Sequence, residues 1–357
     1  MEMYGIVMAG GGGTRLWPKS RENFPKQIHP LVGEKPLVQA MTDRLSAILG
    51  EDKVYIITNA HHVDLICEAT ARKPDAVFID PYRRDTAPCI GLAAAYISLI
   101  DPEAILGVFP SDHYISGDEE FAQTILAAKK LAEMGKVVTI GIPPTAPETG
   151  YGYIQIEPEY KVVEGCEVHK AKRFVEKPDL PTAKRYVESG DYLWNSGMFV
   201  WSVPKIMELF ALHLPDIHER LMRIKDAVGG ENETEVLHRE YEAMRRISVD
   251  YGIMEKLNDI MVVRATFGWN DIGSWTAVSD IMQKDEHGNA VNAFHIGIDT
   301  TNSLVVGSKD KLIATIGLDD MIIVDTEDAL LVCPKDRAQD VKKLVELLKE
   351  RGLDKYL

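Results

Sequence analysis

The chain lacks most of what would fix a protein by covalent or membrane means. Its four cysteines, Cys67, Cys89, Cys166 and Cys333, are far apart and form no CxxC pair. That pattern fits reduced core residues rather than a disulfide framework or a cysteine zinc site. The opening residues, MEMYGIVMAGGGGTR, hold no basic stretch followed by an apolar run and a cleavage site, so no signal peptide is expected. The longest run without a charge, residues 86–100, contains Pro88 and has 15 residues, short of the roughly 20 that span a bilayer. There is no low-complexity segment and no long linker. Basic side chains are also outnumbered, 40 against 55, for a formal charge of −15. An acidic surface argues against non-specific nucleic-acid or anionic-membrane binding. We expect a cytoplasmic protein with neither as a partner. Any polyanionic substrate must then be held by local cations and backbone N–H groups, because the global field repels it.

What is present is an ordinary globular composition, 45% apolar and 27% charged over 357 residues, enough for a large domain plus a small one. Short β-rich runs (residues 4–9, 54–58, 77–80, 105–110 and 137–142) alternate with helical patterns at 37–49, 62–71 and 89–100. A further helix is expected after Asp118 as N-cap, from Phe121, Ile125, Ala128 and Ala132 at helical spacing. Such alternation predicts an α/β fold, a Rossmann-like, mainly parallel sheet flanked by helices. Ligands of such sheets sit beyond the carboxyl ends of the strands. From residue 150 to about 280 the pattern is less regular and reads as an insertion that completes the sheet and builds an acceptor pocket. Short strands at 303–306, 312–316, 321–324 and 330–332 then suggest a short β-solenoid. It is closed by a helix over 336–351 with Val341, Leu344, Val345 and Leu348 on one face. The expected division is 1–284 and 285–357.

The first chemical signal is Gly10-Gly11-Gly12-Gly13-Thr14-Arg15-Leu16-Trp17-Pro18, with Pro25-Lys26-Gln27 shortly after. Consecutive glycines after a strand let backbone N–H groups approach an anion with no Cβ in the way. A dinucleotide fingerprint fails, because Thr14 and Arg15 hold its late positions and Pro18 breaks any helix. The GxxxxGK[ST] loop is absent. What remains is a glycine loop followed by two cations, Arg15 and Lys26, that can reach phosphates.

AGGGGTRLWPKSRENFPKQ resembles the signature of the sugar-nucleotide pyrophosphorylases, in particular the mannose-1-phosphate guanylyltransferases. RRDTAPCIGLAA, FPSDH, ETGYGYI, FVEKP, WNSGMFVW, DYGIMEK and WNDIGSW follow in matching order, so the likeness covers nearly the whole chain. It implies transfer of GMP from GTP to mannose 1-phosphate by metal-assisted in-line attack on the α-phosphorus, giving GDP-mannose and pyrophosphate. Arg15 would hold the β- and γ-phosphates and Lys26 would neutralise charge around the reacting phosphates. Gly10, Gly11, Gly12, Gly13 and Thr14 would run along the triphosphate and base.

Magnesium, or manganese in its place, usually takes one or two carboxylates plus phosphate oxygens and water. Asp112, at a strand end, can supply one carboxylate and Asp271, between Trp269 and Gly273, the other. In the resembled family both matching aspartates are metal ligands, and Asp112 counts as catalytic too. A sugar phosphate needs an ammonium and several hydrogen-bonding groups. Lys177 fits the first task, Glu176 and Asn195 the second, with a backbone group near Gly152. By the resemblance these are the acceptor-binding residues. Asp85 and Thr86 are expected near the base; Asp85 stands where the family commonly has Asn, and its carboxylate can accept from a guanine N1–H and amino group. Asp250-Tyr251 matches the family without an assigned role, and His61-His62 reads as a surface pair.

Other readings stay open: a pyrophosphorylase for another sugar 1-phosphate or base, or a non-catalytic sugar-nucleotide-binding regulatory subunit. Leu16-Trp17-Pro18 and Asn195-Ser196-Gly197 favour the mannose–guanine pairing. The length leaves no room for an attached isomerase. The β-rich unit is too small to be very stable alone, and a homodimer is expected.

Overall fold

Strand and helix alternate through the first half of the chain in the order expected. The structure, a computed structural model, describes residues 1–11 and 13–357; Gly12 lies outside the described residues. The strands are β1 (Met3–Met8), β2 (Val54–Asn59), β3 (Val77–Asp80), β4 (Ile105–Pro110), β5 (Tyr114–Ser116), β6 (Val137–Ile142), β7 (Tyr153–Val163), β8 (Cys166–Val175), β9 (Tyr192–Ser202), β10 (Ile260–Arg264) and β11 (Gly268–Asn270). A 9-stranded sheet has the order β3-β2-β1-β4-β9-β6-β10-β8-β7. Only β8 and β9 run against the others, so the sheet is mainly parallel, as read. β4 and β6 are apolar along their length and almost wholly buried, the mark of strands covered by helices on both faces.

Helix Thr86–Ile100 shows how small residues set the packing. It is apolar on all sides and buried along most of its length. At Gly91 a Cβ would fall 2.5 Å from a Leu221 methyl, so the neighbouring helix Pro215–Ala227 can approach closely only over glycine.

One local expectation changes, and one helix lies outside the sequence reading. Asp118 is not the N-cap: Gly117, with φ 87°, holds that place, and Asp118 starts helix Asp118–Glu133 and pairs with Arg44 at 2.6 Å. A carboxylate in the first turn still complements the helix dipole. Helix Leu180–Ser189 went unread, although Asp179 caps it by accepting from Thr182 N at 2.9 Å and Pro181 lies in its first turn. The insertion supplies a β7–β8 hairpin plus β9, which slots between β4 and β6.

The β-rich unit holds β12 (Ala290–Asn292), β13 (Phe294–Ile298), β14 (Leu304–Val306), β15 (Leu312–Ile316), β16 (Met321–Asp325) and β17 (Leu330–Pro334). β12, β14 and β16 pair in parallel, as do β13 and β15. Phe294 lies opposite Leu312 and Leu304 opposite Ile322, equal steps along the chain, as in successive solenoid coils. This unit does not bury its apolar side alone. Leu304, Ile322, Val324, Leu331 and Val341 share one core with Leu16, Trp17, Ile272 and Trp275. Trp275 is fully buried, and its Nε1 donates to Trp17 O at 2.9 Å.

Trp275→Ala empties the centre of that shared core and strands a carbonyl, so a loss of about 3–5 kcal/mol is expected. Guanidinium denaturation followed by far-UV circular dichroism checks this, and an unmoved midpoint would mean that the two parts are not held by this core.

Candidate active site

The glycine loop is rooted before it is free. Ala9 O, just past β1, accepts from Gln27 Nε2 at 3.0 Å and Thr58 Oγ1 at 2.9 Å, while Ala9 N donates to Ile57 O. Gly10 and Gly11 are exposed, and a Cβ on Gly11 would lie 3.6 Å from Asp112 Oδ2. Bare backbone therefore passes over that carboxylate. Gly13 is required on two counts: φ is +59°, and a Cβ would fall 2.5 Å from Lys26 Cβ. After the turn Thr14–Leu16 the side chains divide, Arg15 to solvent and Leu16-Trp17 into the shared core.

Lys26 is only 5% exposed. Its Nζ donates to Asp112 Oδ2 at 3.0 Å and to the backbone O of Asp271. The two aspartates meet because β5 and β11 form an antiparallel ribbon with Tyr114 opposite Asn270. Asp112 and His113 enter that ribbon where Asp271 leaves it. Around Asp271 the chain turns sharply: Ile272 has φ +47° and its N donates to Asn270 Oδ1 at 2.7 Å. Asp271 Oδ1 accepts from Gly273 N at 2.9 Å and from the Tyr151 hydroxyl at 2.8 Å. Strain of this kind, in a β-branched residue, persists only where its surroundings impose it.

Burial pushes the Asp112 carboxyl up, but the Lys26 ammonium beside it outweighs burial and holds the group below its ordinary value. Burial lowers His113 in turn. Its Nδ1 accepts from Trp269 Nε1 at 3.1 Å, which leaves the neutral ring's proton on Nε2. Arg15, Lys26, Asp112, His113 and Asp271 line one cavity of about 180 Å³. Among the described residues no cluster of three or more His, Cys, Asp or Glu side chains is placed to hold a metal. A divalent cation here would therefore rest on two carboxylates, with phosphate oxygens and water completing its shell, which suits a hard ion such as magnesium.

The residues expected to bind the acceptor also come together. Asn195 N donates to Gly152 O at 2.8 Å, and a Cβ on Gly152 would meet Glu176 Oε2 at 2.7 Å. Glu176 pairs with the exposed Lys177. Tyr151 joins this cluster to the other: its hydroxyl reaches Asp271 and its ring packs edge-on against Trp194 and Trp269. Asp85 and Thr86 are not at the Lys26 cavity. Asp85, φ 72°, accepts from Thr86 N at 2.8 Å, and Thr86 Oγ1 accepts from Val249 N at 2.9 Å. The neighbouring Asp250 accepts from Asn195 Nδ2 at 2.8 Å, so the Asp85 loop and the acceptor cluster are fastened to one segment. Sequence reasoning gave no role to Tyr151, Gln27 or Asp250, and had no view of Gln339, which accepts from Arg15 Nη1 at 3.3 Å. Gln27, Tyr151 and Asp250 stood inside matching segments, whereas nothing in the sequence pointed to Gln339.

A glycine loop over buried cation and carboxylates, beyond the ends of parallel strands, defines a phosphate-handling transferase. The chain belongs to the nucleotidyl transferase family, whose pattern it matches over residues 4–288, and is a nucleotidyltransferase; residues 294–348 match the MannoseP isomerase/GMP-like beta-helix domain. It is 39% identical over 353 residues to the xanthan biosynthesis protein XanB of Xanthomonas campestris pv. campestris, covering 97% of this chain and 73% of that one. It is 37% identical over 356 residues to the mannose-1-phosphate guanylyltransferase of Klebsiella pneumoniae, covering 98% and 75%. A crystal structure from Thermus thermophilus, described as mannose-1-phosphate geranyltransferase, superposes with TM-score 0.88 at 34% identity, over 98% of this chain and 100% of that one. No helix among the described residues is long and apolar enough to cross a membrane.

Lys26→Ala leaves Asp112 without its cation. The Asp112 side chain is 30% exposed, so a loss at the low end of the range for a broken buried pair, about 3 kcal/mol, is expected. The loss should also depend on pH. In the native chain the lowered carboxyl contributes stability above its unfolded value, lost as pH falls through the folded one. Without Lys26 that contribution goes, so the variant should lose more at pH 7 than at pH 4. Urea midpoints at pH 4 and pH 7 decide it, and equal losses at both would count against the pairing.

Proposed function

We propose that the protein transfers GMP from GTP to mannose 1-phosphate, giving GDP-mannose and pyrophosphate. The observation that carries this is the single cavity in which Lys26, Asp112, Asp271 and Arg15 lie beneath the glycine loop, joined through Tyr151 to the Gly152–Glu176–Asn195 cluster. The names of the 37%-identical relatives support the choice of base and sugar. A phosphate oxygen of mannose 1-phosphate attacks the α-phosphorus, a new P–O bond forms, and the bond to the β-phosphate oxygen breaks with its electron pair leaving on pyrophosphate. The nucleophile is already anionic, so no general base is needed. His113, neutral and tied to Trp269, orients the Asp112 segment.

This chain's part is positioning and charge neutralisation. Backbone N–H groups of Gly10, Gly11 and Gly13 lie along the triphosphate with Thr14. Arg15 holds the β- and γ-phosphates and Lys26 balances charge at the reacting ones. Lys177 takes the sugar phosphate, and Glu176, Asn195 and the Gly152 backbone take hydroxyls. Asp85 and Thr86 face the base. Asp112 and Asp271 would hold a divalent cation, magnesium or manganese, which when bound would supply charge neutralisation at the phosphates. We place the boundary between the catalytic domain and the β-rich domain at 284–285.

Pyrophosphate release is expected to need GTP, mannose 1-phosphate and magnesium together, and to stop with chelator. Asp271→Asn should lower the rate by at least ~10²-fold, the scale of one lost charge-stabilising group. Faster release with another nucleotide or with glucose 1-phosphate would move the assignment to a sister enzyme. Tight GDP-mannose binding with no release would favour a sensor.

The protein is further proposed to be a homodimer. Phe294, Ile296 and Ile298 on β13 and Leu312 and Ile316 on β15 share an exposed apolar face, each at least half exposed. A contiguous apolar patch of this kind marks an interface, and a second copy covers it symmetrically. Light scattering at micromolar concentration should give twice the chain mass, and Ile296→Glu should give the monomer. A native monomer would refute the dimer.

A further inference from the structure

The β-rich unit reaches the nucleotide site through Gln339. This residue lies in the turn Lys335–Asp340, between β17 and the last long helix, Val341–Glu350. The turn is pinned from both sides. Thr276 Oγ1 donates to Lys335 O at 3.1 Å, just past the Asp271 loop, and Ala338 is buried in the core shared with Leu16, Trp17 and Trp275. Beyond the helix, Trp17 Nε1 donates to Tyr356 O at 2.7 Å. Further along the signature segment, Arg21 makes two contacts to Asp328. The glycine loop's exit and the Asp271 loop are thus seated on one element, and Gln339 stands where they meet. There Arg15 Nη1 donates to Gln339 Oε1 at 3.3 Å. Arg15 lines the 180 Å³ metal cavity and also an adjoining cleft of about 540 Å³ walled by Tyr151, Asp271, Lys335 and Gln339.

We infer that Gln339 is a positioning residue for nucleoside triphosphate binding, holding Arg15 at the mouth of the cavity. The inference rests on the GTP-dependent reading above. The chemistry of the pair suits the task. An amide oxygen accepts one guanidinium N–H without cancelling its charge, so Arg15's remaining donors keep their pull on phosphate. A carboxylate in the same place would form a charge-assisted pair and compete with the triphosphate. The Arg15 side chain is exposed, so ordering it beforehand lowers the entropy to be lost when GTP arrives.

The test uses the full chain. Gln339→Ala is expected to raise KM for GTP roughly threefold to tenfold, the scale of one ordinary net hydrogen bond, since the contact is exposed and acts through Arg15. KM for mannose 1-phosphate and the melting temperature should stay unchanged, since Gln339 is exposed. Gln339→Glu should raise KM for GTP further, a distinction that a merely structural contact would not make. GTP affinity measured by calorimetry completes a cycle: in an Arg15→Ala background, Gln339→Ala should change nothing. An unchanged KM for GTP in Gln339→Ala, a Gln339→Glu variant no worse than Gln339→Ala, or an equal effect in both backgrounds overturns the inference. An inactive native chain would instead remove the reading on which it rests.

Discussion

The Lys26 ammonium, seated between the Asp112 carboxylate and the Asp271 backbone carbonyl, is the contact on which the site's architecture depends. A charge at 5% exposure is tolerable only when its hydrogen bonds are met. Its partners, Asp112 and Asp271, are far apart in the chain and are brought together by the β5–β11 ribbon. Its Cβ in turn sets the residue allowed at position 13, where no side chain fits. The glycine loop, the two carboxylates and the cation therefore form one unit. None can move by an ångström without disturbing the others.

That unit resolves the conflict posed by an acidic protein with a polyanionic substrate. At −15 the chain repels a triphosphate at long range. Within a Debye length of the cavity, however, the balance is set by Arg15 and Lys26, the glycine-loop N–H groups and whatever cation the two aspartates hold. Tyr151 then couples this pocket to the acceptor cluster, with one side chain touching Asp271 and the aromatic wall beside Asn195. Burial beside Asp271 pushes its phenol well above the usual range. It is thus a fixed donor that orients the carboxylate, not a titrating group.

The parts legible in the sequence were those whose signal is local. Four glycines after an apolar run, an Asp at a strand end and a Trp-Asn-Asp segment each announce themselves within ten residues. The repeat of short strands in the last quarter gave the solenoid. What stayed hidden depends on which distant pieces meet. Nothing in GYGY says that its first tyrosine will find a carboxylate 120 positions away. β9 reads as a strand, but its place between β4 and β6, antiparallel to both, is decided by packing. Asp118 looked like a cap because aspartate favours that position, yet Gly117 takes the left-handed conformation there and Arg44 draws the carboxylate away.

The same distinction bears on the β-rich unit, which composition presents as an appendage. Its core residues are not a separate set: they close over Leu16, Trp17, Ile272 and Trp275, the residues next to Arg15 and Asp271. A loop rich in glycine gains affinity only if its conformation is fixed before the ligand arrives, because ordering it afterwards consumes binding energy. The large sheet fixes the entrance of that loop at Ala9 through Gln27 and Thr58. Its exit is fixed by Trp17, whose indole and carbonyl are held by Tyr356 and Trp275. The glycines are thus free to face an anion because both of their ends are anchored, one by the catalytic sheet and the other by the core it shares with the solenoid.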